Sequence, residues 1–224
     1  MTRTFVFATD EYYHCYCRGN EKRRTFITEK EYYRFIALLF VCNSKEVIHL
    51  SDYNSRPFSE IFNIDKKNTI VDIGAYCLMP NHFHILVREK IEGGISLFMQ
   101  KVMTGYTMYF NKKHERTGSL FEGSFKAQHV EDDDYLKYLF SYIHLNPIKL
   151  IDSNWKENGI KDRKKALNFL NRYEFSSYLD YLNPENARPQ SIILNKKAFP
   201  EYFSNPEDFK LEIFDWLSIV KVKP

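Results

Sequence analysis

No run of 18 or more apolar residues occurs anywhere in the 224-residue chain, which excludes a hydrophobic membrane-spanning helix. Cysteine is scarce: Cys15, Cys17, Cys42 and Cys77 are the only four. That is too few for a disulfide framework in a chain of this length. Cys15-Tyr16-Cys17 is C-x-C rather than C-x-x-C, and no second pair completes a zinc site. All four are expected to be reduced, buried thiols. An excess of one charge is also missing, since 32 Lys and Arg against 29 Asp and Glu leave +3. This excludes a histone-like tail or a polyanionic chain, and by itself does not argue for nucleic acid. Internal repeats and low-complexity runs are absent. Asp10 and Glu11 interrupt the first residues before an apolar core of a signal peptide forms, so the expected location is cytoplasmic. With 44% apolar and 27% charged residues, the balance is that of a globular protein, not of a disordered or collagen-like one.

Aromatic residues are plentiful, at 19 Phe, 16 Tyr and 2 Trp. They supply core volume or stacking surface, and composition does not separate the two. Residues 11–19 read as a strand with Tyr12, His14, Tyr16 and Arg18 on one face. A basic loop follows, in which Arg18, Lys22, Arg23 and Arg24 face only Glu21. Thr28 precedes Glu31 at capping-box spacing and opens a helix that should fade near Asn43. Val47–Leu50 is a candidate short strand, and 51–68 a long loop or insertion. A hairpin is expected next: Ile70–Met79, a turn centred on Pro80-Asn81, and His82–Arg88. A helix over Ile95–Asn111 and a second hairpin over Thr117–Val130, turning at Glu122-Gly123, follow it. Four acidic residues, 131–134, then sit where a helix N-terminus favours negative charge. They open a helix from Tyr135 to about Leu150.

Two features carry chemistry. In His82-Phe83-His84 the two imidazoles leave the same face of a strand, about 7 Å apart at the backbone, and can converge on a metal. Taken alone, the pair is weak evidence, since such pairs are more often surface or hydrogen-bonded histidines than metal sites. The remaining five histidines show no comparable pairing. In the second, Tyr135, Tyr138, Tyr142 and Asn146 share one helical stripe beside the apolar Leu136, Leu139, Phe140 and Ile143. These tyrosines either border a core, or they present Tyr142 as a nucleophile with the Asn146 amide one turn on as a metal ligand. His144 points almost opposite to Tyr142 and is given no catalytic role. Pro147 should loosen the helix just after Asn146.

The segment from Ala75 through His82-Phe83-His84 to Val87 resembles the HUH motif of single-tyrosine transposases. Thr117–Ala127 followed by Tyr142-Ile-His-Leu-Asn146-Pro-Ile-Lys149 resembles their next hairpin and catalytic helix, and Tyr13–Asn20 their first strand and loop. The similarity runs from about residue 10 to 182 and is greatest to the branch associated with palindromic REP elements. It implies an α+β fold: a ferredoxin-like antiparallel sheet with helices packed on it and the HUH histidines on a central strand. A catalytic domain over 8–150 and an extension of short packed helices over 151–224 are expected. The resemblance further implies one divalent ion, Mg²⁺ or Mn²⁺, held by His82, His84 and Asn146, and Tyr142 as nucleophile. The product would be a 5′-phosphotyrosine with a free 3′-OH, on single-stranded or hairpin DNA from palindromic repeats, with the protein acting as monomer or homodimer. Ser124 stands where many members carry arginine.

A phenol has a pKa near 10 and must lose its proton to attack phosphorus. A dication on two neutral imidazoles and an amide keeps its charge and stabilises the phosphate that is attacked. Imidazole ligands suit Mn²⁺ better than Mg²⁺. Because the phosphotyrosine conserves bond energy, rejoining needs no ATP, and the chain has no Walker A pattern. For DNA binding, Lys101, Lys112, Lys113, Arg116 and Lys126 against Glu115 and Glu122 give segment 101–130 a net of 5 − 2 = +3. With Arg18, Lys22, Arg23, Arg24 and Lys149 they are candidates to neutralise phosphates, among aromatic residues that can stack bases. Two other readings compete: a non-catalytic DNA- or RNA-hairpin binding protein on the same scaffold, and a zinc hydrolase built on His82 and His84. The hydrolase lacks a nearby carboxylate partner in these motifs.

Overall fold

In the computed structural model, which describes residues 6–53, 56–66 and 68–215, the strand segments form one sheet and alternate between its two faces, apart from a register shift between Ile73 and Ala75. Strands β1 (Tyr12–Arg18), β2 (Val71–Met79), β3 (His82–Glu89) and β4 (Lys126–His129) pair in the order β2-β3-β1-β4, every neighbour antiparallel. Helix α1 (Glu29–Val41) crosses from β1 to β2, and α2 (Gly94–Lys113) from β3 to β4. This is the ferredoxin-like α+β arrangement expected from the sequence, with His82 and His84 on the inner strand β3.

The period of two decides which layer each face meets. Phe83, Ile85 and Val87 join Tyr13, Cys15 and Cys17 in a core shared with Phe35, Leu39, Phe98 and Tyr106 of α1 and α2. The opposite face, Ala75, Cys77, Met79 and Leu86, packs on Leu136, Leu139, Phe140 and Ile143 of α3 (Asp133–Leu145). All four cysteines are buried and none is in a disulfide. Among the described residues no helix is long and apolar enough to cross a membrane.

The capping box of α1 forms as its spacing predicts, and Asp132 caps α3 by accepting the Tyr135 N–H at 2.7 Å. The β2–β3 hairpin pairs Met79 with His82 across Pro80-Asn81. Three local expectations need correction. First, 117–130 is not a hairpin: its two parts bond to β1 and the loop after it, not to each other. The Glu122 N–H donates to Arg18 O, Phe121 bridges Gly19, and only Lys126–His129 becomes a strand, on the edge of β1. Gly123, at φ 96°, makes the turn between them in a region that favours glycine.

Second, Val47–Leu50 is not a strand. Val47 is exposed, and the β2 edge is covered instead by 175–177: the Leu78 N–H donates to Phe175 O and the Ser177 N–H to Tyr76 O. Third, 51–68 is not wholly irregular; Phe58–Asn63 is a 3₁₀ turn whose buried Phe62 meets Phe40. Residues 54, 55 and 67 of that segment, and 216–224 of the extension, lie outside the described residues.

α3 ends at Leu145, and Asn146–Leu150 continues as a 3₁₀ turn with Pro147 near its start. Beyond it come the short helices α4 (Trp155–Asn158), α5 (Arg163–Leu170), α6 (Tyr178–Leu182) and α7 (Pro206–Asp215). Leu145 and Ile148 share a buried cluster with Trp155, Leu170, Tyr178 and Phe209, so this segment packs directly on the end of α3.

Candidate active site

Alternation along β3 turns His82 and His84 toward α3, opposite the Phe83 and Ile85 side chains that anchor the strand. Their neighbours in the sheet are Arg18 and Met79 for His82, and Tyr16 and Cys77 for His84. The two rings lie 5.0 Å apart at 88°. His82 Nδ1 meets Asn81 Oδ1 at 2.6 Å. An amide oxygen only accepts, so Nδ1 carries the proton and Nε2 keeps its lone pair.

His84 is oriented by a residue that sequence spacing did not reveal. Its Nδ1 lies 2.9 Å from Nε2 of His14, the neighbouring strand's buried histidine. His84 Nε2 is buried with no hydrogen-bond partner among the described residues. All three imidazoles are held neutral. Burial lowers His14 to about 3, with help from the Lys156 charge. Burial, then the charges of Arg18 and Lys149, lower His82 to about 4 against an opposing contact with Asn146. Burial and its two histidine neighbours put His84 well below the ordinary value. Neutral imidazole is the form that binds metal.

The other wall is α3. Its apolar stripe is consumed by the sheet, which leaves the adjacent stripe along the site. Tyr135 and Tyr138 stack at 6.0 Å and Tyr138 and Tyr142 at 5.8 Å, both nearly parallel. The Tyr142 ring stands edge-on to His84 at 5.2 Å and to His14 at 6.0 Å. Burial raises its phenol to about 12, although contact with the Asn146 amide opposes this. Asn146 itself is buried, and its Oδ1 has no hydrogen-bond partner among the described residues. His144 points away into the core, with Nε2 2.8 Å from Ser177 Oγ.

His82, His84, Tyr142 and Asn146 thus line a single pocket, rimmed by Arg18, Lys126, Lys149 and Lys156. Ser124 and Glu122 lie on its β4 side. A second depression continues from His82 past Asn81 to Lys22 and Arg24, again with Arg18 and Lys149. Arg23 turns to Glu21 at 3.8 Å. The structure does not bring the remaining basic candidates here. Lys101, Lys112, Lys113 and Arg116 belong to α2 and its exit, on the opposite face of the sheet. Lys101 donates to the carbonyls of Ser44 and Glu46, Lys113 to Glu31, and Arg116 to Asn111.

His14 and Lys156 are the site residues that spacing missed. The alternation Tyr12, His14, Tyr16, Arg18 placed His14 on the right face, but its partner lies 70 residues away. Nothing local marks Lys156.

The family model described as "Transposase IS200 like" matches residues 9–146. No curated protein matches the chain. Among solved structures, that of a REP-associated tyrosine transposase bound to a REP hairpin superposes with a TM-score of 0.50 at 12% identity, covering 91% of this chain and 99% of the other. At that identity the likeness concerns the fold.

Proposed function

Since the chain belongs to the IS200-like transposase family, we propose that it is a DNA transposase that cuts and rejoins single-stranded or hairpin DNA through Tyr142. The observation that carries this reading is the Tyr142 phenol standing 5.2 Å from the ring of His84, in a pocket whose buried lone pairs have no partners among the described residues. Orphaned buried acceptors are costly unless something fills them. Two such atoms are His84 Nε2 and Asn146 Oδ1, and His82, whose Nδ1 is committed to Asn81, adds an Nε2 lone pair on the same pocket wall. Two neutral imidazoles and an amide oxygen fit a divalent cation, Mg²⁺ or Mn²⁺. When bound, such an ion supplies Lewis-acid stabilisation of the charge that develops on the phosphate.

The chain's own residues do the rest. Tyr142 Oη attacks phosphorus; the O–P bond forms as the bond to the 3′-oxygen breaks, the phenolic proton departs and the 3′-oxygen gains one. A 5′-phosphotyrosine remains, and reversal on a new 3′-OH rejoins the strand. The Tyr138 stack and the Asn146 amide fix the direction of the phenol. Arg18, Lys22, Arg24, Lys126 and Lys149 provide a cationic track for the backbone, and Tyr135 and Tyr138 offer faces on which unpaired bases stack. Nucleophile and histidines come from one chain, so a monomer suffices for cleavage. A hairpin from a palindromic repeat is the substrate we favour; the structural neighbour is described with a REP hairpin bound.

The test is a denaturing gel with 5′- and 3′-labelled hairpin DNA in Mg²⁺ or Mn²⁺. The expected result is a protein–DNA adduct that carries the label on the 3′ side of the break. Binding without any adduct would favour the non-catalytic hairpin-binding reading.

A further inference from the structure

Lys156 has no role in the reading above, yet its ammonium lies 3.9 Å from the centre of the Tyr142 ring. It comes from α4, beyond residue 146 where the family match ends. The placement is not accidental to a loose tail. Its neighbour Trp155 is buried against Leu145, Ile148 and Leu170, which ties the start of α4 to the end of α3. Lys156 makes no hydrogen bond or ion pair among the described residues, whereas Lys137, Lys113 and Lys210 each meet a carboxylate. Lys156 is exposed as a residue, and its charge is felt at all three histidines.

A cation with no carboxylate, on the rim of a pocket it shares with Arg18 and Lys149, calls for an anion. The phosphate that Tyr142 attacks becomes a substituent of the ring Lys156 already touches. A charge-assisted bond to a phosphate oxygen is stronger than a cation–π contact, so the ammonium transfers from the ring to the phosphate when DNA is present.

We propose that Lys156 is a catalytic residue: its ammonium binds the non-bridging oxygens of the scissile phosphate during attack and stays on the phosphotyrosine afterwards. This rests on the transposase reading. It adds no atom and takes no proton. Tyr142 Oη–P forms, P–O3′ breaks, the phenolic proton leaves and the 3′-oxygen is protonated, while Lys156 compensates the charge. The segment after residue 150 is then part of the active site, not an appendage to it.

The test compares wild type with Lys156→Met, which keeps the apolar stem, and Lys156→Arg, which keeps the charge. Single-turnover adduct formation with hairpin DNA should slow about 100-fold or more in Lys156→Met, the range for removing one transition-state donor. Lys156→Arg should recover at least about a tenth of the wild-type rate, because a guanidinium also binds phosphate. Mn²⁺ affinity, read by calorimetry, should be equal or tighter in Lys156→Met, since a repelling charge has gone. A wild-type rate in Lys156→Met, or equal slowing in both variants, would overturn the assignment while the wild-type adduct leaves the transposase reading intact. Absence of an adduct in wild type would overturn both.

Discussion

His14 Nε2 and His84 Nδ1 meet at 2.9 Å, buried between adjacent strands. Both rings are neutral at pH 7, so a single proton lies between these two nitrogens. If His84 uses Nε2 for a metal, its Nδ1–H must donate to His14, which makes His14 a positioning residue. Removing such a partner typically costs 10- to 100-fold in metal affinity. His14→Leu should therefore weaken Mn²⁺ binding by about 10- to 100-fold by calorimetry, with the fold retained by circular dichroism. Unchanged affinity would contradict the role.

The two groups of basic residues should respond differently to salt. Lys149 borders the pocket and is exposed, whereas Lys113, on the opposite face of the sheet, is engaged with Glu31 at 2.6 Å. Lys149→Ala should weaken hairpin binding and reduce the slope of log K against log[salt] by about 0.7 to 0.9. Lys113→Ala should leave that slope as it is. Equal loss of slope in both would mean that the DNA also runs over α2.

Lys113 matters instead through Glu31, the fully buried N3 residue of α1. Burial pushes the Glu31 carboxyl up, but Lys113, the Thr28 and Ile27 N–H groups and His114 outweigh it and hold it at about 2. A carboxyl depressed on folding stabilises fully above its ordinary 4.5, and that contribution drains away as pH falls toward 2. Urea unfolding should thus show falling stability across this window. Glu31→Gln should lower stability at pH 7 by about 2–4 kcal/mol and flatten the acid limb. A variant with the same acid slope as wild type would contradict this.

Much of the site could be read before the fold was known, because its parts are local. Pro80-Asn81 sets a two-residue turn, and the turn sets which face His82 and His84 take. Tyr142 and Asn146 share a stripe by helical spacing alone, and the apolar stripe beside it says which way the helix lies. The parts that escaped depend on contacts between distant segments. Residues 117–130 have hairpin-like turn chemistry, but the free edge of β1 outcompetes their pairing with each other. His14 meets His84 only when β1 lies beside β3. Lys156 sits on four helical residues that the Trp155 cluster ties to the end of α3.

Tyrosine is abundant in this chain, and most of its rings are packing; the central claim is that one of them, Tyr142, becomes covalently bound to DNA. Mass spectrometry of the protease-digested adduct, formed on hairpin DNA with Mn²⁺, tests this directly. The account predicts a nucleotide mass on the peptide that contains Tyr142, no adduct in Tyr142→Phe, and unchanged hairpin binding by that variant. An adduct on Tyr16, Tyr135 or Tyr138, or one that persists in Tyr142→Phe, would contradict it.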